Sequence, residues 1–113
     1  MAATHEDAHL IVQITRWGTE MGLEDAAQVI FSDGFNAETA TTKDPAVRKM
    51  LTFGELVATL VKQGILDRDL VLDLWWVSGM WSRVAPAAAR ERERLGEPRL
   101  FENIEALAGS IRP

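Results

Sequence analysis

The sequence predicts an all-α protein, a compact bundle of about five helices in a single domain that spans residues 1–113. Apolar residues recur at steps of three and four almost throughout the chain, which is the period of one face of an α-helix. No segment shows the sustained alternation of apolar and polar residues that is typical of a strand. With 113 residues, 47% of them hydrophobic and 26% charged, the chain is long enough for one core and short for two domains.

The first helix is predicted to begin at Thr4, whose side-chain oxygen can accept a hydrogen bond from the first turn. Asp7 stands at the third helical position, where its shorter carboxylate can form a weaker version of the capping box that Glu or Gln usually completes. An apolar face then runs from Leu10 to Met21, and Gly22 ends the helix.

A shorter second helix and a loop follow. The second helix is predicted over about residues 24–31, and it ends at the Ser-Asp-Gly turn of residues 32–34. Residues 36–43 are rich in threonine and lack periodicity, so we expect a loop there.

The remaining helices have clear start and stop signals. Asp44, followed by a proline, begins the third helix, and Gly64 ends it. Asp67 caps the longest helix, which is predicted to reach residue 95. Pro86 should kink or break this helix, because proline has no N–H and its ring crowds the carbonyl four residues earlier. A final short helix follows the Gly-Glu-Pro of residues 96–98.

Charge and composition exclude several classes of protein. Twelve Lys and Arg against 17 Asp and Glu give a formal net charge of −5, which disfavours nucleic-acid binding because such binders neutralise phosphates. The chain has no Cys, which excludes disulfides and thiolate chemistry. No window of about 18 uncharged apolar residues exists, so no membrane span is expected. The N-terminus also lacks the basic region of a signal peptide, and we expect a cytoplasmic location.

His5-Glu6-Asp7-Ala8-His9 matches the zinc-hydrolase pattern H-E-x-x-H, in which two imidazoles on one helix face bind Zn²⁺ and the glutamate activates its water. The segment lies in the first turn of a helix, where fraying opposes a preorganised site. The chain has no other His, so a third ligand would have to be a carboxylate. We therefore predict no metal ligands, cofactor or catalytic residues, and keep a hydrolase using His5, Glu6 and His9 as an alternative.

Three of the four tryptophans lie in the predicted longest helix and help to make it apolar on two sides. Adjacent helical residues point about 100° apart, so Trp75 and Trp76 cannot share a face. Trp75 and Trp81 are expected to fill the core, whereas Trp76 belongs to a second stripe that suits either the core or an interface, where Trp and Met are enriched. We predict a partner interface formed by Leu72, Trp76, Met80 and Arg83.

Residues 89–94 read Ala-Arg-Glu-Arg-Glu-Arg, and Arg99 follows. Alternating charges distribute both signs around a helix, which is typical of a solvated face. Binding of an anion or a nucleic acid here is a weaker alternative. The sequence contains no glycine-rich phosphate loop and no G-x-S-x-G nucleophile motif.

The C-terminal half carries a family pattern. It reads Phe-Gly-Glu-Leu at residues 53–56, Asp-Leu-Val-Leu-Asp-Leu at residues 69–74, then Trp81, Pro86 and Pro-Arg-Leu-Phe-Glu-Asn at residues 98–103. Over residues 50–108 the chain resembles a bacterial all-helical family, domain of unknown function 4760.

This resemblance implies a helical domain and brings no activity, cofactor or catalytic residue. Many members of that family carry a membrane segment ahead of the domain. The pair Trp75-Trp76 departs from the Phe-Gly that the family pattern has there, so we expect packing or a partner surface peculiar to this chain.

We therefore expect a small protein–protein interaction or self-associating module without catalytic activity. Its partner is expected to be a second copy, giving a homodimer, or another protein; nucleic acid and membrane are not expected. The alternatives are the metal-dependent hydrolase and a regulatory protein that binds an anion or nucleic acid.

Overall fold

The chain folds into helices joined by turns and one long loop. The computed structural model describes residues 2–110, which contain six α-helices and no strand. These are α1 (His5–Glu20), α2 (Leu23–Ile30), α3 (Pro45–Lys62), α4 (Arg68–Leu74), α5 (Val77–Leu95) and α6 (Glu102–Ala108). Within the same residues, no helix is long and apolar enough to cross a membrane.

Two of the three predicted N-cap side chains, Thr4 and Asp67, cap their helices. The Asp7 N–H donates to Thr4 Oγ1 over 3.1 Å while the Thr4 N–H donates to the Asp7 carboxylate over 2.8 Å, so the capping box is complete. Asp67 accepts from the Leu70 N–H over 2.9 Å at the start of α4. Asp44 occupies the N-cap of α3, but its carboxylate accepts from the Thr41 N–H instead of capping the helix.

The core lies where α2, α5 and α6 pack against α3. Its fully buried side chains come from α2, α3, α4, α5 and α6, so these helices share one core. The largest of these side chains are Ile30, Val47, Leu51, Val71, Val84 and Ile104.

Two predictions are wrong: the number of helices and the place where the longest one breaks. The segment 67–95 divides into α4 and α5 at Trp75 and Trp76, so residues 2–110 contain six helices rather than about five. Trp75 has extended backbone dihedrals (φ −129°, ψ 143°), whereas Pro86 lies inside an unbroken α5. The break turns the indole of Trp75 edge-on to the ring of Phe53 on α3, with centroids 5.8 Å apart. The break therefore lies ten residues before Pro86, at the position where Trp75 packs against Phe53.

The loop between α2 and α3 is held against α5 by arginine side chains. Arg83 donates to the carbonyls of Ile30 (2.6 Å) and Ser32 (3.0 Å). Arg90 donates to the carbonyls of Ala37 (3.1 Å) and Ala40. These bonds satisfy loop carbonyls that no helix or sheet pairs, and they give the predicted loop a defined path.

Candidate partner-binding cleft

An apolar cleft of about 490 Å³ opens beside the break between α4 and α5. Its lining comes from α1, from α2 through to Phe31, from the corner at residues 75–77, from Met80 of α5 and from α6. Side chains of α3 also line it, among them Met50, Phe53 and Val57. The volume falls within the range of about 300–1,000 Å³ that is typical of ligand-binding clefts.

Trp76 stands at this cleft with 71% of its surface exposed. Its ring stacks on the ring of Phe31, itself 41% exposed, with centroids 5.7 Å apart and planes 10° from parallel. The other support is Gly79, where an added Cβ would overlap the indole carbons of Trp76. Glycine at this position therefore makes room for the indole, which lies against Gly79 and Phe31 while most of its surface faces solvent.

The neighbouring tryptophans are placed differently. The indole of Trp75 meets the ring of Phe53 edge-on. Trp17 stacks on the same phenylalanine ring, with centroids 5.4 Å apart. Trp81 is half-buried outside the cleft, with the guanidinium of Arg92 5.9 Å from its ring centre. Trp76 alone of the four tryptophans is mostly exposed.

The four residues of the predicted interface do not form one stripe. Trp76 and Met80 both line the cleft, although Met80 is 9% exposed and packs toward Gly54 of α3. Leu72 is half-buried on α4 and borders a smaller depression that Trp76 also borders. Arg83 binds the loop carbonyls, and its guanidinium lies 5.3 Å from the ring centre of Phe35.

Sequence reasoning did not assign Phe31, Glu24 or Asp25 to this surface. Phe31 is the C-cap residue of α2. The two carboxylates occupy the first turn of α2, where the helix dipole alone accounts for acidic residues. Nothing in the sequence indicates that these residues line one cleft with Trp76.

The H-E-x-x-H segment is exposed at His5, Glu6 and His9. His9 Nε2 lies 3.2 Å from Gln13 Nε2. Across residues 2–110 no group of three or more His, Asp or Glu side chains is placed to hold a metal ion.

Asp7, inside the same segment, has a structural role. It is 9% exposed, and its carboxylate accepts from the Thr4 N–H and, over 3.0 Å, from the Asp67 N–H. The backbone N–H of Thr4 is the main cause that lowers the pKa of Asp7, and the Asp67 N–H adds to it against the opposing effect of burial. Asp7 thereby joins the start of α1 to the start of α4.

The arginine-rich segment is also used within the chain. Arg92 donates to the Leu100 carbonyl over 2.6 Å, while Arg94 pairs with Glu91 and Arg99 with Glu102. The bond from Arg94 lowers the pKa of Glu91, and that from Arg99 lowers the pKa of Glu102. This face is partly occupied by its own carboxylates and carbonyls, which makes it a weak candidate for an anion site.

The comparisons with known proteins identify a family, but they find no individual protein that matches the chain. The family model described as "Domain of unknown function (DUF4760)" matches residues 3–111. The match confirms the resemblance seen over residues 50–108 and extends it to α1, α2 and the loop. No curated protein matches the chain, and no solved structure does.

Proposed function

This chain belongs to the DUF4760 family, and from that premise we propose that it is a protein interaction module without catalytic activity. Its binding surface is the cleft between α1, α2 and the corner at residues 75–77. Trp76 is the anchor of this surface, and a partner covers its exposed face.

The orientation and exposure of Trp76 carry the proposal. With 71% of its surface exposed, an indole leaves about 160 Å² in water, which is worth roughly 4 kcal/mol at about 25 cal/mol per Å². Contacts with Gly79 and Phe31 restrict the rotation of the Trp76 indole, so little side-chain entropy would be lost when a partner binds. Rigid aromatic residues with these properties are typical hot spots of protein interfaces.

The lining of the cleft favours binding over catalysis. Its polar side chains are Thr15, Thr19, Glu24 and Asp25, and the rest of the described lining is apolar or glycine. Neither threonine donates its hydroxyl to a base: Thr15 donates to the Ile11 carbonyl and Thr19 to the Thr15 carbonyl. A nucleophile activated by a neighbouring base, as acyl transfer requires, is not formed by these groups.

A second copy of the chain is the other candidate partner. Leu74 is 52% exposed and precedes Trp76 by two residues, so the corner presents two large apolar side chains together. An isologous dimer would bury both on each subunit.

Selection of binding peptides from a random library tests the proposed surface. We expect the full chain to enrich peptides whose affinity falls tenfold or more for Trp76→Ala, since truncating a hot spot costs at least about 2 kcal/mol. Ile65→Ala is the matched control, because Ile65 is 57% exposed and lies outside the cleft. Peptides that bind the Trp76→Ala variant as tightly as the parent chain would refute the proposal.

A further inference from the structure

We propose that the segment bound by this cleft is basic and belongs to a different protein: a bulky apolar side chain flanked by Lys or Arg. The inference rests on the proposed function and adds the chemistry of the partner. It depends on the charges around the cleft and on the aromatic rings beside them.

The charged side chains that line the cleft are acidic. Glu24 and Asp25 stand on consecutive positions in the first turn of α2, both exposed. Within residues 2–110 neither carboxylate has a hydrogen bond or an ion pair. Lys49 does not line the cleft, although its Nζ would lie 3.4 Å from a Cβ added at Gly22, the N-cap residue of α2. A ligand cation therefore meets two free negative charges at this rim.

The aromatic side chains select for the same charge. Trp76, Phe31 and Trp75 line the cleft together with the two carboxylates. The face of an aromatic ring attracts a cation through its quadrupole, and tryptophan does so most strongly. Lys and Arg also carry apolar stems that can pack along such rings while the charged head stays near water. A segment without Lys or Arg could pack on the rings but would gain neither the cation–π interaction nor the attraction to the two carboxylates.

The same charges disfavour a second copy as the occupant. The chain has a formal net charge of −5. In a two-fold dimer whose axis passes near this rim, Glu24 and Asp25 of each subunit would lie opposite the same carboxylates of the partner subunit. Like charges opposed across an interface suppress association. Electrostatics therefore favours a foreign, basic partner over self-association.

The composition of the selected peptides tests this inference on the full-length chain. We expect enrichment of Lys and Arg next to a large apolar residue, and affinity that falls as ionic strength rises. For the strongest synthetic peptide, Glu24→Gln with Asp25→Asn should weaken binding about three- to tenfold. Glu38→Gln with Glu93→Gln removes the same charge from exposed positions outside the cleft and should leave affinity unchanged. Far-UV circular dichroism of both variants checks that α2 is retained.

The outcomes separate the two proposals. Peptides that need Trp76 but carry no basic residues, or that ignore the Glu24/Asp25 change, overturn the basic partner and leave the interaction module standing. Peptides that do not need Trp76 overturn both. Light scattering across a wide range of concentration adds a third arm: a dimer that Trp76→Ala abolishes shows a second copy as the occupant and overturns the foreign partner.

Discussion

Gly79→Ala should strain the exposed stack of Trp76 on Phe31 through one methyl group. An added Cβ would lie 2.5 Å from Cε3 of the indole and closer still to Cδ2 and Cε2. Carbon atoms prefer separations of about 3.5–4.0 Å, so either the indole or the first turn of α5 has to move. The indole is the softer of the two, since most of its surface faces water.

The magnitude follows from three terms. Alanine in place of glycine favours a helix by up to about 1 kcal/mol. Displacing the indole forfeits an aromatic pair worth about 0.5–1.5 kcal/mol, and a forced off-rotamer side chain costs a further 0.5–1.5 kcal/mol or so. We therefore expect Gly79→Ala alone to lower the free energy of unfolding by up to about 2 kcal/mol. With Trp76→Ala already in place the clash is absent, and Gly79→Ala should raise stability by up to about 1 kcal/mol.

The assay is a double-mutant cycle on Trp76 and Gly79, with urea unfolding followed by far-UV circular dichroism. The expected coupling is about 1–3 kcal/mol, and near-UV circular dichroism should report the lost stack. Gly34→Ala is the matched control, because an added Cβ there meets nothing within 4 Å. If Gly79→Ala has the same effect in both backgrounds, to within about 0.5 kcal/mol, the indole does not lie on Gly79 and the reasoning is refuted.

Three further predictions concern the rest of the bundle. Pro86→Ala should raise the free energy of unfolding by about 1–2 kcal/mol in a urea titration, because an interior proline costs a helix about 3 kcal/mol and its loss is partly offset by a freer unfolded chain; unchanged or lower stability would contradict this. Arg90→Ala should release residues 36–43 and speed tryptic cleavage after Lys43, whereas Arg94→Ala, which removes only the pairing with Glu91, should not. Asp7→Asn should lower the free energy of unfolding of the protein at neutral pH and leave it unchanged in acid. Because the folded pKa of Asp7 is lowered, its contribution is full above the unfolded value of 3.8 and is lost as the pH falls through the folded pKa. Urea midpoints of parent and variant should therefore converge below about pH 4, and a constant gap would contradict the role of the carboxylate.

Local signals in the sequence predicted most helix ends. The capping box at Thr4 and Asp7 and the cap at Asp67 act within one turn of backbone. Gly22 and Gly64 end helices through their positive φ angles, 78° and 74°, which glycine adopts without a steric penalty. Such signals need no knowledge of the rest of the fold.

The break at residues 75–76 could not be read in the same way. Pro86 is the strongest local helix breaker in the segment, yet α5 continues through it. The break instead follows from the packing of Trp75 against Phe53, which is 22 positions away in the sequence. A contact between residues so far apart in the sequence produces no local pattern from which the break could be predicted.

Two residues of the predicted interface, Trp76 and Met80, line the candidate cleft, and the residues around them were not predicted. Trp76 belonged to the predicted interface, because an apolar residue on the second side of a helix needs a partner surface. Phe31, Glu24 and Asp25 reach the same cleft only through the folding of α2 beside the corner. The contact between Gly79 and the indole of Trp76 likewise depends on α5 beginning at Val77, which the sequence does not indicate.

The indole N–H resonances of the four tryptophans give the most direct test of the binding surface. A ¹⁵N-labelled chain would be titrated with the strongest selected peptide and the four indole signals followed by NMR. The account predicts large shifts for Trp76 and Trp75 and none for Trp81, which lies outside the cleft. Saturable binding that moves the Trp81 signal and leaves Trp76 unchanged would contradict it.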